Sequence, residues 1–218
     1  MKVLVCSTNN EVLDIIVQLM LSNNHDLDVT EEERPDKIGR MLEDYDFLVL
    51  NQTTTINRRI ISNLDHRERA IEFSMAKSPM LQFRNQVVSL GIIPEAGEQP
   101  RKTVNIITDI CREGYDEVIQ DLFNGANFVT QDSSKFDAQV SELLVKPYIL
   151  SLLARKISDL DQVLRTKEYE KILDLSRSVT NYNVEYMRDL IRNNPLTGDI
   201  FSKLEENLKR VWNELSLY

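Results

Sequence analysis

Three short polar side chains, Ser7, Thr8 and Asn9, follow the first apolar segment of the sequence and precede an amphipathic helix. A turn between a buried strand and a helix N-terminus attracts anions, because free N–H groups and the helix dipole both favour negative charge. Close approach of a phosphate normally requires glycines there. The first glycine of this chain is Gly39. The turn therefore predicts a weakened nucleotide site, with Ser7, Thr8 and Asn9 as its contacts.

An acidic run, Glu31 to Glu33, follows the second predicted strand. A carboxylate at that place can accept hydrogen bonds from ribose hydroxyls, and Glu31 is the first candidate, with Glu32 beside it. A solvated acidic loop is the alternative interpretation.

Side chains suited to metal or redox chemistry are few and scattered. Cys6 and Cys111 lack C-x-x-C spacing, and His25 and His66 are not arranged as a ligand pair. We therefore expect no metal and no disulfide. Each histidine is interpreted as a surface residue.

The composition argues against two classes of partner. The 218 residues carry a formal charge of -9 without a basic stripe, which excludes nucleic acid as an expected partner. The N-terminal apolar segment is too short for a signal peptide or a membrane span. We expect no membrane association and a cytoplasmic location.

Residues 1–132 alternate short apolar runs with helical stretches, the pattern of a mainly parallel sheet. The fold class expected is therefore α/β: a Rossmann-like domain over 1–132, followed by an all-α helical domain over 133–218. The predicted strands are Lys2–Cys6, Leu27–Val29, Phe47–Asn51, Ala70–Phe73, Gln86–Leu90, Thr103–Thr108 and Asn127–Val129. The predicted helices between them are Glu11–Leu21, Asp36–Leu42, Thr54–Leu64 and Tyr115–Phe123.

From residue 133 onward the pattern is helical. One helix is predicted from the Ser133-Ser134 cap to about Leu160 with a kink at Pro147, a second from Lys167 to Asn193, and a third up to Leu215. Their apolar positions are numerous for about 85 residues, and so small a unit buries them more easily against a partner. We expect a homodimer through residues 133–218.

Landmarks in the helical half resemble the prephenate dehydrogenase family of aromatic amino acid (tyrosine) biosynthesis. That family opens its helical domain with a His-Asp pair and carries Leu-Pro-His twelve residues later; here Phe136-Asp137 is followed by Tyr148 in Lys146-Pro147-Tyr148. An arginine-bearing helix and a W-R-D-I type segment follow in the family. Leu175–Val179 and Tyr186–Ile191 match them.

The N-terminal half carries two further landmarks. Glu72–Pro79 resembles the family segment D-x-x-S-V-K-x-P and keeps Lys77, while Ser74 lies one position from the aligned serine. The family's catalytic histidine, which polarises the ring hydroxyl of prephenate as hydride leaves, aligns with Gly91.

This resemblance implies a small dicarboxylate ligand of the prephenate type and, if any cofactor, NAD or NADP. Arg177 is the implied carboxylate-binding residue, and its alternative is a surface arginine paired with Asp174 or Asn181. Tyr148 replaces a pocket histidine and retains a hydroxyl, and Lys146 adds a cation or is simply solvated. No catalytic residue is identified; Lys77 and Ser74 remain candidates.

Three interpretations follow from these residues. The chain is a divergent prephenate or arogenate dehydrogenase, or a non-catalytic dimeric ligand-binding or regulatory protein on the same fold, or a generic α/β protein. Simultaneous loss of the phosphate-loop glycines and the histidine favours the second over an ordinary NAD-dependent enzyme.

Overall fold

A computed structural model describes residues 1–7, 10–83, 86–93, 105–110, 115–157, 166–178 and 183–216. It divides into two compact units, Met1–Asp137 and Ala138–Tyr218, called here the sheet unit and the helical unit.

The sheet unit is built on a seven-stranded sheet in the order β2-β1-β3-β4-β5-β6-β7. Neighbouring strands from β2 to β5 are parallel, β6 is antiparallel to β5, and β7 is parallel to β6. The predicted mainly parallel sheet is thus confirmed. The strands are β1 (Lys2–Ser7), β2 (Asp26–Thr30), β3 (Phe47–Asn51), β4 (Ala70–Phe73), β5 (Val88–Ile93), β6 (Asn105–Ile110) and β7 (Asn127–Thr130).

Helices follow most of these strands. They are α1 (Asn10–Ser22), α2 (Pro35–Met41), α3 (Thr54–Ser62) and α4 (Asp116–Leu122). The α3 N-terminus is capped by Thr53, whose hydroxyl accepts a hydrogen bond from Ile56 N at 3.3 Å. After α1, Asn24 takes a φ of 60°, and His25 N donates to Met20 O at 3.2 Å, so the helix ends with satisfied carbonyls.

Alternate residues of the strands pack into two hydrophobic cores, one on each face of the sheet. Val3 and Val5 pack on one face with Ile16 of α1 and Ile119 of α4. Leu4 and its alternate neighbours pack on the other face with α2 and α3. Because successive strand side chains point to opposite faces, a sheet covered on both sides has nearly continuous apolar strands. Helices therefore cover both faces of the sheet.

The first helices of the C-terminal part follow one another along the chain with no residue between them. They are α5 (Ser133–Val140), a π-helical turn (Ser141–Val145) and α6 (Lys146–Ile157). The cap of α5 is Asp132, one residue before the predicted Ser133-Ser134, since its carboxylate accepts from Lys135 N at 3.0 Å. The π turn lies directly before Pro147, which cannot donate a backbone hydrogen bond.

The second predicted helix is divided. In its place are α7 (Lys167–Ser178) and α8 (Val184–Asn193). The side chain of Asn183 accepts from Tyr186 N at 3.1 Å and starts α8 as a new helix. Asparagine side chains compete with the helical backbone for hydrogen bonds, which favours a cap over a helix interior. The last helix, α9, runs from Thr197 to Leu215.

Apolar positions of the helical unit are partly exposed. Leu143, Ile172, Leu175, Leu208, Val211 and Trp212 are exposed, whereas Ile149 and Leu190 are buried. In the described part of the chain, no helix combines the length and the apolar character needed to cross a membrane.

Candidate functional site

A buried ion pair lies at the carboxyl end of β4, beside the first residues of β5. Lys77 Nζ is 3.1 Å from Glu72 Oε1 and donates to Ser89 Oγ at 2.9 Å and to Leu90 O. Lys77 is 2% exposed and Glu72 is fully buried. An ammonium group has three hydrogens to donate, and three acceptors surround this one. Lys77 therefore holds the segment after β4 against β5.

Hydrogen bonds also surround the Glu72 carboxylate. Its Oε1 accepts from Ser89 Oγ and from Ser74 Oγ, the latter at 3.4 Å, while Oε2 accepts from Asn57 Nδ2 at 3.4 Å. A buried charge is tolerated when it is paired and hydrogen-bonded. We call Asn57, Glu72, Ser74, Lys77 and Ser89 the polar cluster.

Asp137 fixes the next residues of the chain. Its carboxylate accepts from Lys77 N at 2.6 Å, from Ser78 N at 2.9 Å and from Ser78 Oγ at 2.5 Å. These N–H groups open a short 3-10 helix, Ser78–Phe83. A carboxylate from α5 thus caps an element that is distant in sequence.

The ring of Phe136 lies directly against the backbone of Gly91. A Cβ built on Gly91 would lie 2.4 Å from Phe136 Cε2 and 2.5 Å from Cζ, closer than atoms can approach. Phe136 is fully buried, and Lys77 Nζ lies 5.7 Å from the centre of its ring. The benzyl ring therefore fills the space that a side chain at position 91 would need.

The structure brings together several residues that the sequence singled out, namely Ser74, Lys77, Gly91, Phe136 and Asp137. Sequence reasoning missed the partners Asn57, Glu72 and Ser89. Glu72 and Ser89 did carry a signal, since each is a polar residue inside an otherwise apolar strand.

Both histidines lie at the opposite edge of the sheet. His25 directly precedes β2, and His66 precedes the short turn that leads into β4. Amino ends of parallel strands meet at one edge and carboxyl ends at the other. His66 is exposed beside Glu68. His25 is not the predicted surface residue: it is buried, and its Nε2 lies 3.1 Å from Asp121 O.

At the ends of β1 and β3, Ser7 and Asn51 form hydrogen bonds with each other. Ser7 Oγ donates to Asn51 O at 3.1 Å and accepts from Asn51 Nδ2 at 2.9 Å, and both residues are buried. Thr8 and Asn9 lie outside the described residues.

The acidic run after β2 is largely neutralised. Glu32 pairs with Arg34 at 3.0 Å and with Lys37 at 3.2 Å, and the hydrogen bond from Arg34 lowers the pKa of the Glu32 carboxyl. Glu33 pairs with Arg59. Glu31 is exposed, and no described residue forms an ion pair with it. Of the three carboxylates, Glu31 is the one available to a ligand.

The described residues near β1 and β2 match a dinucleotide site only in part. Glu31 and the buried Gln52 Oε1, which has no described hydrogen-bond donor, suit hydroxyl or amine groups of a ligand. The end of β1, however, offers the buried Ser7 where a pyrophosphate needs a glycine-lined approach. The cations near Glu32 and Glu33 are already paired.

In the helical unit the predicted ligand residues lie in different environments. Arg177 is exposed on α7 and its Nη1 is 3.2 Å from Asp174 Oδ1. Tyr148 is buried within α6, and Lys146 at the start of α6 pairs with Glu142. The Arg177–Asp174 pair is the alternative that the sequence left open.

Comparison with known proteins identifies the type of fold. No protein-family model and no curated protein sequence matches the chain. Among solved structures, a candidate prephenate dehydrogenase from Corynebacterium glutamicum superposes with a TM-score of 0.66 at 14% identity, over 97% of this chain and 80% of that one.

Two further structures cover the chain almost completely. Prephenate dehydrogenase from A. aeolicus, solved with hydroxyphenyl propionate and NAD+, gives a TM-score of 0.60 at 12% identity, over 99% of this chain and 92% of that chain. Synechocystis arogenate dehydrogenase gives 0.57 at 14% identity, with the same coverage of 99% and 92%. The chain therefore has a Rossmann-like fold of the kind found in prephenate and arogenate dehydrogenases.

Proposed function

We propose that this chain is a prephenate dehydrogenase-like protein that has lost ordinary dehydrogenase activity and acts as a dimeric ligand-binding or regulatory protein. Its ligand is a small carboxylate of the prephenate type, and its dimer forms through residues 133–218. An active prephenate or arogenate dehydrogenase is the second candidate, favoured by fold similarity over nearly the whole chain.

The filled space at Gly91 carries the proposal. The resemblance aligns the family's catalytic histidine with this position, and the Phe136 ring occupies the volume that any side chain there would need. Loss of a general acid or base typically costs about 10²–10⁴ in rate. Lys77 is a poor replacement, because Glu72, Ser89 and Leu90 O already accept its hydrogens.

Few residues are predicted to contact a cofactor. Bound NAD or NADP would contact Glu31 and the turn after β1. The buried Ser7–Asn51 pair argues against close pyrophosphate approach. We therefore expect a carboxylate to bind more tightly than either nucleotide.

Calorimetric titration with NAD+, NADP+ and prephenate tests the function. We expect prephenate binding without nucleotide binding and without nucleotide-dependent turnover. Micromolar nucleotide binding, about -8 kcal/mol, together with turnover would replace the proposal with the dehydrogenase candidate. Absence of binding for all three compounds would remove the prephenate-type ligand.

The carboxylate assignment of Arg177 has a matched control. We expect Arg177→Ala to weaken prephenate binding about tenfold or more, since a charge-assisted hydrogen bond is lost. Asp174→Ala removes only the intrahelical partner and should leave or improve binding. If both variants bind prephenate with the wild-type affinity, Arg177 does not bind the ligand and is only part of a surface ion pair.

A further inference from the structure

The turn after α4 contains the one asparagine of the chain that is followed by glycine. Asn124 precedes Gly125, and no second Asn-Gly pair occurs in the 218 residues. Because glycine has no Cβ, its backbone nitrogen can approach the preceding side-chain amide with little steric hindrance. Asparagine side chains also reach neighbouring backbone groups readily. This pair is therefore a candidate for a reaction between a side chain and the backbone.

Both residues of the pair are exposed to solvent. In the part of the chain that the structure describes, neither the side-chain amide of Asn124 nor the N–H of Gly125 forms a hydrogen bond. Asn63 provides a contrast, because it is also exposed but its Nδ2 donates to Arg59 O at 2.7 Å. A bonded amide must first give up its hydrogen bond, at a cost in free energy, before it can react. The amide of Asn124 does not have this cost.

The backbone of the turn leaves room for the reaction. Gly125 takes a φ of 94°, a left-handed conformation that favours glycine. A Cβ built on Gly125 would have no neighbour within 4 Å. Ala126 N donates to Phe123 O at 3.0 Å, so the hydrogen bond that closes the turn does not use the nitrogen of Gly125. Among the described residues, neither packing nor hydrogen bonding protects this nitrogen.

We propose that Asn124 is a site of spontaneous deamidation that produces isoaspartate and aspartate. The nitrogen of Gly125 attacks Asn124 Cγ, the new N–C bond closes an imide ring, and the Cγ–Nδ2 bond breaks. Nδ2 leaves as ammonia and takes up the proton that the nitrogen of Gly125 loses. Water then opens the ring: addition at Cγ gives aspartate, and addition at the backbone carbonyl carbon gives isoaspartate. These steps consume only water, without oxidation or reduction, and are independent of the proposed function.

Deamidation changes a contact between α1 and α4. Asn23 directly follows α1, and its Nδ2 donates to Asn124 O at 3.0 Å and to Leu122 O at 3.4 Å. In isoaspartate the chain continues through the former side chain, so the backbone gains one carbon and Asn124 O becomes part of a free carboxylate. Both products add a negative charge to the turn. The modified turn therefore holds the end of α4 less firmly against α1.

Peptide mapping of the full chain tests the site. We expect the peptide that contains Asn124 to gain about 1 Da during incubation, and its product to accept a methyl group from S-adenosylmethionine when an isoaspartyl methyltransferase is added. The rate should rise about tenfold per pH unit above neutrality, because hydroxide removes the proton of the attacking nitrogen. Asn63, in the same digest, is the matched control and should convert far more slowly.

A variant of the same residue tests the ring closure. Asn124→Gln moves the amide one carbon further from the backbone, so attack would have to close a larger and less favourable ring, and we expect the conversion to disappear. Wild-type Asn124 that converts no faster than Asn63 would overturn the proposal. Aspartate without isoaspartate would also overturn it, since direct hydrolysis of the amide yields aspartate alone.

Thermal melting measures the effect on the contact between α1 and α4. Fully converted protein should melt about 2–4 °C below fresh protein, the shift expected when a chain of this size loses a single contact. Asn124→Gln, incubated in parallel, should keep its melting temperature. Equal melting temperatures for converted and fresh wild type would overturn the role of this turn in holding α4.

Discussion

Lys77 and Glu72 form an ion pair that is buried inside the sheet unit. Removing two charges from water is costly, and their mutual attraction compensates only with good geometry and further hydrogen bonds. Here Ser74, Ser89 and Asn57 supply those bonds. The pair therefore specifies how the segment after β4 lies against β5.

Removing one partner of this pair should be severe. We expect Lys77→Met to lower the free energy of unfolding by about 3–5 kcal/mol, because the Glu72 carboxylate would remain buried and uncompensated. Lys77→Met/Glu72→Gln should recover much of that loss. Urea denaturation measures both variants. Lys146→Met, at an exposed pair, should change stability by less than about 1 kcal/mol. A similarly small loss for Lys77→Met would contradict the role of the pair.

The contact between Gly91 and Phe136 makes a second prediction at this scale. Gly91→Ala should destabilise the protein by about 1–3 kcal/mol, since its Cβ meets the Phe136 ring. Gly91→Ala/Phe136→Leu should be less destabilised than the sum of its single variants. Gly39→Ala is the control: nothing lies within 4 Å of its added Cβ, so thermal melting should show no loss. Equal melting temperatures for Gly91→Ala and wild type would refute the steric argument.

At the scale of elements, a side-chain cap at Asn183 starts α8 inside the stretch that the sequence predicted as one helix. The apolar periodicity continues past this point, so a continuous helix from Lys167 was a reasonable prediction. The Asn183 side chain instead binds Tyr186 N and begins α8. A local hydrogen bond thus outweighs a weak helix propensity at one position.

Substitution of this cap should have a measurable effect. Asn183→Ala should lower the free energy of unfolding by about 0.5–2 kcal/mol, because Tyr186 N loses its acceptor. Asn183→Asp retains an oxygen acceptor and should remain close to wild type in chemical denaturation. The cap assignment is wrong if the two variants lose equal stability.

At the scale of the whole molecule, a shared fold does not establish a shared function. The chain superposes on prephenate and arogenate dehydrogenases over nearly its full length, yet at 12–14% identity. Function depends on the residues of a site and not on the scaffold. Between the carboxyl end of β4 and the neighbouring residues of β5, side chains of this chain fill the space and bond to one another.

Dimerisation should appear in the thermal stability of the whole protein. When folding is linked to association, the melting temperature rises with protein concentration. We expect this rise for the wild type over a hundredfold range of concentration, because the proposed dimer forms through residues 133–218. Calorimetric scans at several concentrations measure it. A wild-type melting temperature independent of concentration would contradict the linked dimer.

Local patterns in the sequence predicted the order and type of most elements, because apolar periodicity and turn residues are local properties. Strands β1, β3 and β4 lie where it predicted them, and the change to helices after residue 132 was evident. It also marked Ser74, Lys77 and Gly91 as a possible site.

The contacts that surround these residues are visible only in the folded chain. Gly91 meets Phe136 and Lys77 N meets Asp137 across long stretches of chain, and a single sequence carries no signal for such contacts. Arg177 Nη1 lies 3.2 Å from Asp174 Oδ1, and the carboxylate-binding role of Arg177 stays a prediction. Packing is a property of the assembled chain, so the burial of Lys77 emerged only once the strands were side by side.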